Sequence, residues 1–193
     1  MKYTFDTTYT EADVIRFNIL AALYTDEGRT NTRNGRIAFT MLVLPISILL
    51  LSRGPASILP FAFGCGLMVM LIVQLIGMRH FNEKGIRDRM NALKKAGKLD
   101  PLPPSRMEFG EEWYSDFSED SRHEDKYKHI HAIYADEIGS VYLFIFPTVA
   151  LIIPAHCFTS DTQREEFISF IRSRCPDKPF RRVDITNHKV TKE

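Results

Sequence analysis

The chain has 193 residues, of which 45% are hydrophobic, and its formal net charge is only +1. A chain of this length normally forms one or two compact units. Its three cysteines, Cys65, Cys157 and Cys175, show no paired spacing, which argues against a fold held together by disulfide bonds.

Residues 1–36 predict a short strand, a helix and a polar connector. Residues 2–8 alternate with the two-residue period of a strand. Thr10 can cap a helix over residues 11–24, and the broad apolar surface of this helix requires a partner, either the bilayer interface or the soluble domain. Residues 25–36 are rich in turn formers. Because residues 1–10 are polar, we expect no cleaved signal peptide.

Residues 37–78 form the longest apolar stretch and divide into two runs, 37–52 and 55–78. The second run holds no charged residue or histidine, so a helix there can cross a hydrocarbon core of about 30 Å. The first run is shorter, but arginines at its ends can snorkel to the surface. The sequence predicts two antiparallel membrane helices joined by a tight turn. A re-entrant hairpin and a pair of helices buried in a soluble protein are the alternatives.

Basic residues flank this stretch on both outer sides. Arg29, Arg33 and Arg36 precede it, seven lysines and arginines follow within residues 79–98, and only Arg53 lies in the connector. The positive-inside rule therefore predicts a two-span protein of the cytoplasmic membrane with both termini in the cytoplasm.

Residues 79–105 predict a basic helix that continues the second membrane helix, followed by a proline-rich linker. Juxtamembrane cations commonly contact lipid headgroups. The candidate headgroup contacts are Arg79, Lys84, Arg87, Arg89, Lys94 and Lys95. Aromatic residues do not alternate with these cations, so we expect the bilayer and not nucleic acid as their partner.

Residues 106–175 predict a small cytoplasmic β-rich domain. The pattern indicates strands at 106–109, 112–118, 126–134, 141–146 and 149–158, and a helix that begins after a capping-box sequence at Ser160 and ends near Arg174. Residues 176–193 predict a frayed polar tail. The expected fold class is thus an α+β membrane protein: a two-helix transmembrane hairpin, then a small antiparallel sheet closed by a C-terminal helix.

This layout resembles the YcxB-like family of bacterial membrane proteins. The motif-like similarity lies within residues 108–171. It is carried by the segments YADEI at 134–138, VYLF at 141–144, LIIP at 151–154 with Phe158, and EEFISFI at 165–171. The resemblance implies a pleckstrin-homology-like (PH-like) fold for the domain, and it implies no catalytic residues.

The sequence contains few signals of chemistry. His129, His131, His156 and Cys157 could approach one another on strands, but their spacing does not require zinc, and surface histidines are the simpler interpretation. No nucleophile motif or phosphate-binding loop is present. We therefore predict no catalytic residue, metal or cofactor, and hence no enzyme. Trp113 and Tyr114, beside an acidic cluster, are the candidate interaction surface.

The charge is divided unevenly along the chain. Residues 79–98 hold seven basic against two acidic residues, whereas residues 106–175 hold seven against thirteen. An anionic membrane should therefore attract the connector and repel the domain, which we expect to stand off the bilayer. The predicted function is a non-enzymatic interaction or regulatory module that contacts another protein or itself. The alternative is an accessory subunit or small transporter component that acts through an oligomerising hairpin.

Overall fold

The computed structural model describes residues 2–192 apart from 53, 56, 98–101, 120 and 187–188, without the side chains of 74–82, 189 and 192. The helices are α1 (Glu11–Leu23), α2 (Asp26–Leu51), α3 (Ile58–Lys95) and α4 (Asp161–Arg174). The strands are β1 (Tyr3–Thr7), β2 (Ser105–Phe109), β3 (Trp113–Ser118), β4 (Arg122–Lys126), β5 (Ala132–Asp136), β6 (Val141–Phe146), β7 (Val149–Ile153), β8 (Phe180–Asp184) and β9 (Lys189–Lys192). The protein is therefore α+β.

The strands form two sheets. The first is an antiparallel meander in the order β1-β2-β3-β4, and the second has the order β7-β6-β5-β8-β9. All pairs are antiparallel except β5 with β8.

The N-terminal strand belongs to the β-rich domain. Along the β1–β2 ladder, Phe5 lies opposite Met107 and Thr7 lies opposite Ser105. Helices α1, α2 and α3 all come between these two strands in the chain. The predicted boundary at residue 106 is therefore wrong for the folded unit: the helical hairpin is inserted into the domain, and the chain leaves and re-enters the same sheet.

The two sheets share one apolar core with α4. Phe167, on the apolar stripe of α4, is fully buried and packs edge-on against Phe5 and Phe109, with ring centroids 5.0 and 4.9 Å apart. Val141 and Ile153 of the second sheet belong to the same buried cluster. The predicted capping-box start of α4 is confirmed as a side-chain N-cap, because the Ser160 hydroxyl accepts a hydrogen bond from the backbone N–H of Gln163.

Helix α1 covers the other face of the second sheet. Its buried Ile19 and Leu20 belong to a cluster with Tyr134, Tyr142 and Phe144. Of the two partners expected for its apolar surface, the soluble domain is the one found. The Thr10–Asp13 capping box fixes where this helix begins.

Four predicted segments were wrong. Residues 26–36 are helical, because Thr25 caps α2 and the polar residues occupy its first turns. Residues 126–134 are not one strand: β4 ends at Lys126 and β5 begins at Ala132. Residues 149–158 are not one strand either, because β7 ends at Ile153 and a short 3₁₀ helix follows at Ala155–Cys157. Residues 176–193 are not a frayed tail after a closing C-terminal helix, because β8 pairs with β5 and β9 pairs with β8.

Helices α2 and α3 pack together and expose most of their apolar surface. Of the most apolar 18-residue window of α2, only 11% is buried. Val43 and Leu71 are buried, whereas Leu42 and Phe63 are 65% and 64% exposed. By length and composition α2 qualifies as a membrane span, and the described part of α3 contributes a shorter apolar segment, Ile58–Val73. A membrane helix is thus weakly supported.

Candidate functional site at the junction of domain and helices

The corner between α1 and α2 joins the domain to the hairpin. The Thr25 hydroxyl donates to the carbonyl oxygen of Ala21 at 2.6 Å and accepts from the backbone N–H of Gly28 at 3.0 Å. A Cβ on Gly28 would lie only 2.3 Å from the Ala21 carbonyl oxygen and 2.5 Å from that of Ala22. The corner therefore requires glycine at this position.

An ion pair fixes α2 to the second sheet. Both terminal nitrogens of Arg181, on β8, donate to the two carboxylate oxygens of Asp26, at 2.8 and 2.7 Å. Arg181 also donates to the hydroxyl of Tyr134 at 3.3 Å. Its side chain is only 8% exposed. Bidentate pairs of this kind have a defined geometry as well as favourable energy, so the first turn of α2 is held in one position.

A second polar cluster fixes α1 to the β5–β6 turn. Asp136 accepts hydrogen bonds from the amides of Gly139 and Ser140, from the hydroxyl of Tyr142 at 2.9 Å and from Arg16 Nε at 3.2 Å. Burial raises the pKa of Asp136 despite these donors. Each buried carboxylate oxygen thereby has a partner.

The neighbouring Glu137 extends this cluster. It accepts from Arg16, from the amide of Ile185 at 3.0 Å and from the hydroxyl of Thr186 at 2.9 Å. Although partial burial opposes ionisation, these donors lower the pKa of Glu137 to about 2. Helix α1 is thus tied both to the turn and to the segment after β8.

The far end of α3 also returns to the domain, since Lys94 forms a salt bridge with Glu11 at the start of α1. Both ends of the helical hairpin are therefore attached to the β-rich domain. The domain thus contacts the helices directly on the α1–α2 side, and its expected stand-off from the bilayer stays a prediction.

A cleft of about 850 Å³ opens where the domain meets the helices. Its walls come from α1, the first half of α2, the part of α3 beyond its apolar segment, and the β6–β7 turn. The apolar lining includes Phe17, Phe39 and Ile86, and two cations, Arg36 and Arg89, share it. The volume lies in the range of small-ligand sites, which makes this junction cleft the candidate functional site.

The predicted interaction surface is divided by the structure. Tyr114 is fully buried and lies near Phe109 and Tyr127 in the core, so it is not available to a partner. Trp113 is half-buried, beside the exposed Glu111 and Glu112. Adjacent residues on a strand point to opposite faces, so only Trp113 of this pair can contribute to a contact surface.

The predicted headgroup contacts lie on α3, which runs from the apolar segment to Lys95 without interruption and confirms that the basic helix continues the apolar one. Lys84, Arg87, Arg89 and Lys94 are exposed, as is Lys95. Arg87 pairs with Glu83 at 2.9 Å. The side chain of Arg79 lies outside the described residues.

The histidines considered as metal ligands do not converge. His129 pairs with Asp125 on the exposed surface, and the thiol of Cys157 faces the carbonyl oxygen of Asp6 at 3.7 Å. Within the described ranges, no group of three or more His, Cys, Asp or Glu residues could hold a metal ion. All three cysteines are free thiols.

Sequence reasoning missed the residues that hold the junction. Arg181 lies in the sequence Phe180-Arg181-Arg182-Val183, which does not alternate with the two-residue period of an amphipathic strand. Its acidic partner Asp26 is 155 positions away, which no local pattern can reveal.

Compared with protein-family models, curated proteins and solved structures, the chain shows no significant match.

Proposed function

We propose that this protein is a two-span protein of the cytoplasmic membrane, YcxB-like in organisation, whose β-rich domain stays in the cytoplasm as a non-enzymatic interaction or regulatory module. The pairing of β1 with β2 carries the proposal. One strand precedes the helical hairpin and the other follows it, so the chain must cross the bilayer an even number of times between them. If α2 spans, α3 returns.

The exposure of the helices supports membrane insertion. A core helix of a soluble protein hides most of its apolar surface, whereas the apolar window of α2 is 11% buried. A cleavable leader is also disfavoured, because its removal would take away β1 and α1, which carry the core residues Phe5, Ile19 and Leu20. Inside lipid the exposed side chains carry no penalty.

The arrangement of the domain supports the PH-like interpretation. Apart from the three helices between β1 and β2, a four-stranded meander, a three-stranded meander and then a helix follow one another in the chain, with α4 packed into the core that the sheets share. Strands β8 and β9 extend the second sheet beyond that pattern. The family resemblance itself rests on sequence segments at core positions.

Topology can be tested with single exposed cysteines. In a background with Cys65→Ala and Cys157→Ser, with the buried Cys175 retained, Ser52→Cys reports on the hairpin tip and Glu112→Cys on the domain. A membrane-impermeant maleimide should label Ser52→Cys in right-side-out vesicles and Glu112→Cys only in inverted ones. Labelling of both positions from the same side would overturn the two-span proposal.

The interaction role needs point variants, because deleting the segment after residue 105 would also leave β1 and α1 without their partners. A photo-cross-linker at Glu112 should capture a partner, or a second copy, in native membranes. Trp113→Ala should abolish that adduct, while Gly66→Leu, on a part of α3 with open space around it, should leave it intact.

The opposite pattern, loss with Gly66→Leu and persistence with Trp113→Ala, would favour the alternative function of the hairpin as an accessory subunit. Ser47 is the fully buried polar residue of the described hairpin, and its hydroxyl bonds to the carbonyl oxygen of Val43 in its own helix. That arrangement serves packing and gives the alternative no support.

A further inference from the structure

We infer that the junction cleft binds one anionic phospholipid of the cytoplasmic leaflet, with its phosphate between Arg36 and Arg89. The inference rests on the proposed membrane placement and goes beyond it, because it assigns a defined lipid site to a protein otherwise proposed only to be anchored. General attraction of the basic α3 to a membrane surface requires no such site.

The two arginines form the cationic part of the cleft. Arg36 comes from α2 and Arg89 from α3, and both line the same space. Within the described part of the chain neither has a carboxylate within salt-bridge distance, although nearby Arg87 pairs with Glu83. The Nε atom of Arg36 is buried and donates to no described acceptor. Two guanidinium groups that line one cleft, neither of them in an ion pair with a described carboxylate, suit a phosphate, which each can contact through several N–H donors.

One carboxylate, Glu27, also lines the cleft. It precedes Arg36 by about two and a half turns of α2, or about 13 Å along the helix axis. Glu27 thus lies near the α1–α2 corner, whereas Arg36 lies where α2 becomes apolar, which we call the arginine end of the cleft. A phosphate is favoured at the arginine end.

The arginine end is also where a lipid would be expected. After Arg36 the exposed face of α2 is apolar, beginning with Ile37 at 48% exposure and continuing with Met41 at 73%. Phe39 lies within the cleft itself. The acyl chains of a lipid whose phosphate sits at Arg36 can thus continue along α2 into the bilayer, which a soluble phosphate ester could not exploit.

The β6–β7 turn supplies the remaining wall and suits the same boundary. Pro147 and Thr148 line the cleft, and they are flanked by Phe146 and Val149, which are 60% and 51% exposed. Exposed apolar residues beside a basic cleft fit the region where headgroups meet acyl chains. The domain, acidic as a whole, contributes an uncharged edge to the cleft.

The test uses the full-length protein in an uncharged detergent. Native mass spectrometry with added phosphatidylglycerol, phosphatidylcholine or glycerol phosphate measures binding to the wild type, to Arg36→Gln/Arg89→Gln, and to a control, Arg33→Gln/Arg122→Gln. The control removes the same charge from exposed residues of α2 and β4 outside the cleft. We expect one phosphatidylglycerol per chain, bound at least tenfold more weakly by Arg36→Gln/Arg89→Gln and unchanged in the control.

Equal loss in both double variants would mean general charge attraction and would overturn the proposal, as would no loss in either. Binding of glycerol phosphate as tight as that of phosphatidylglycerol would assign the cleft to a soluble phosphate ester instead. Carbonate extraction of the same variants distinguishes a failure of the proposed lipid site from a failure of the proposed membrane placement. Retention in the membrane without lipid selectivity refutes only the lipid site, whereas release of the wild type refutes the membrane anchor itself.

Discussion

The hydroxyl of Thr7 donates a hydrogen bond to the carbonyl oxygen of Ser105 at 2.8 Å, across 98 positions of sequence. All three long helices before α4 lie within that interval. The bond therefore closes a loop that contains the whole helical hairpin, so the hairpin is joined to the same sheet at both of its ends, unlike an anchor on a single tether.

The first prediction concerns the corner at Gly28. Gly28→Ala should lower the free energy of unfolding by about 1–3 kcal/mol or more, because the new methyl group would overlap the Ala21 carbonyl oxygen. Gly35→Ala is the matched control on the same helix, with open space around it. It should be neutral or stabilising by up to about 1 kcal/mol. Thermal unfolding in detergent, followed by circular dichroism, measures both. Equal effects would contradict the close approach.

The second prediction concerns the ion pair between Asp26 and Arg181. Asp26→Asn leaves a largely buried guanidinium with a weaker partner and should destabilise the protein by about 1–3 kcal/mol, a range reduced for the exposure of Asp26. Asp88→Asn, on the exposed surface of α3, should have an effect within about 0.5 kcal/mol. In a double-mutant cycle with Arg181→Met, strict additivity would show that the two residues do not interact.

The third prediction concerns acid stability. The pKa of Glu137 is lowered to about 2 in the folded protein, so its contribution to stability is present above its ordinary pKa and is lost as the pH falls toward 2. Glu137→Gln should therefore be less stable than the wild type at pH 7, by about 1 kcal/mol for this partly exposed group.

Between about pH 4.5 and pH 2 the difference between wild type and Glu137→Gln should shrink. Urea titrations at pH 7, 4 and 2.5 would show it. A constant difference across that range would mean that Arg16 and the amide of Ile185 do not hold the charged form. Because the pKa of Asp136 is raised, the contribution of this residue to stability changes with pH in the opposite direction. Asp136 is present in both proteins, so this contribution does not distinguish them.

The fourth prediction concerns the C-terminal strands. Truncation after Cys175 should prevent the domain from folding, because it removes the buried Phe180 and Val183 and exposes the edge of β5. Truncation after residue 186 removes only β9 and retains Ile185, so it should cost far less. Limited proteolysis of membranes that contain each variant distinguishes them. A protease-resistant domain that ends at Cys175 would contradict the role of β8.

Elements with a strong local pattern could be predicted from sequence. β6 has the predicted bounds, and α4 and the short β2 agree to within one residue. In each case the alternation of apolar residues or the capping residue lies within the element itself. The capped helix α1 was found for the same reason.

Elements that depend on distant partners could not be predicted. β4 is composed of Arg122-His123-Glu124-Asp125-Lys126, a wholly polar sequence that is stable only as the edge strand of a sheet. β8 is a parallel neighbour of β5 and needs Asp26 and Glu165 for its two arginines. The first turns of α2 looked like a loop, because the turn formers that signal a connector are equally compatible with a capped, solvent-facing helix.

The candidate site shows the same division. Arg89 could be selected because it belongs to a run of cations, whereas its pairing with Arg36 across a cleft depends on how α2 and α3 pack. Tyr114 was wrongly predicted to lie on a contact surface, because an aromatic residue next to charged residues suggests exposure. Which residues of the strand face the core becomes clear only in the folded structure.

The insertion of the hairpin between β1 and β2 also sets the order of biosynthesis. When β1 and α1 leave the ribosome, the strands that they pair with and pack against have not been made. Helices α2 and α3 must be synthesised before the first sheet can form, and the β5–β8 pair must wait for almost the whole chain. On the proposed membrane placement, insertion therefore acts on a chain whose N-terminal segment has not yet found its partners, so no folded domain obstructs the translocation machinery.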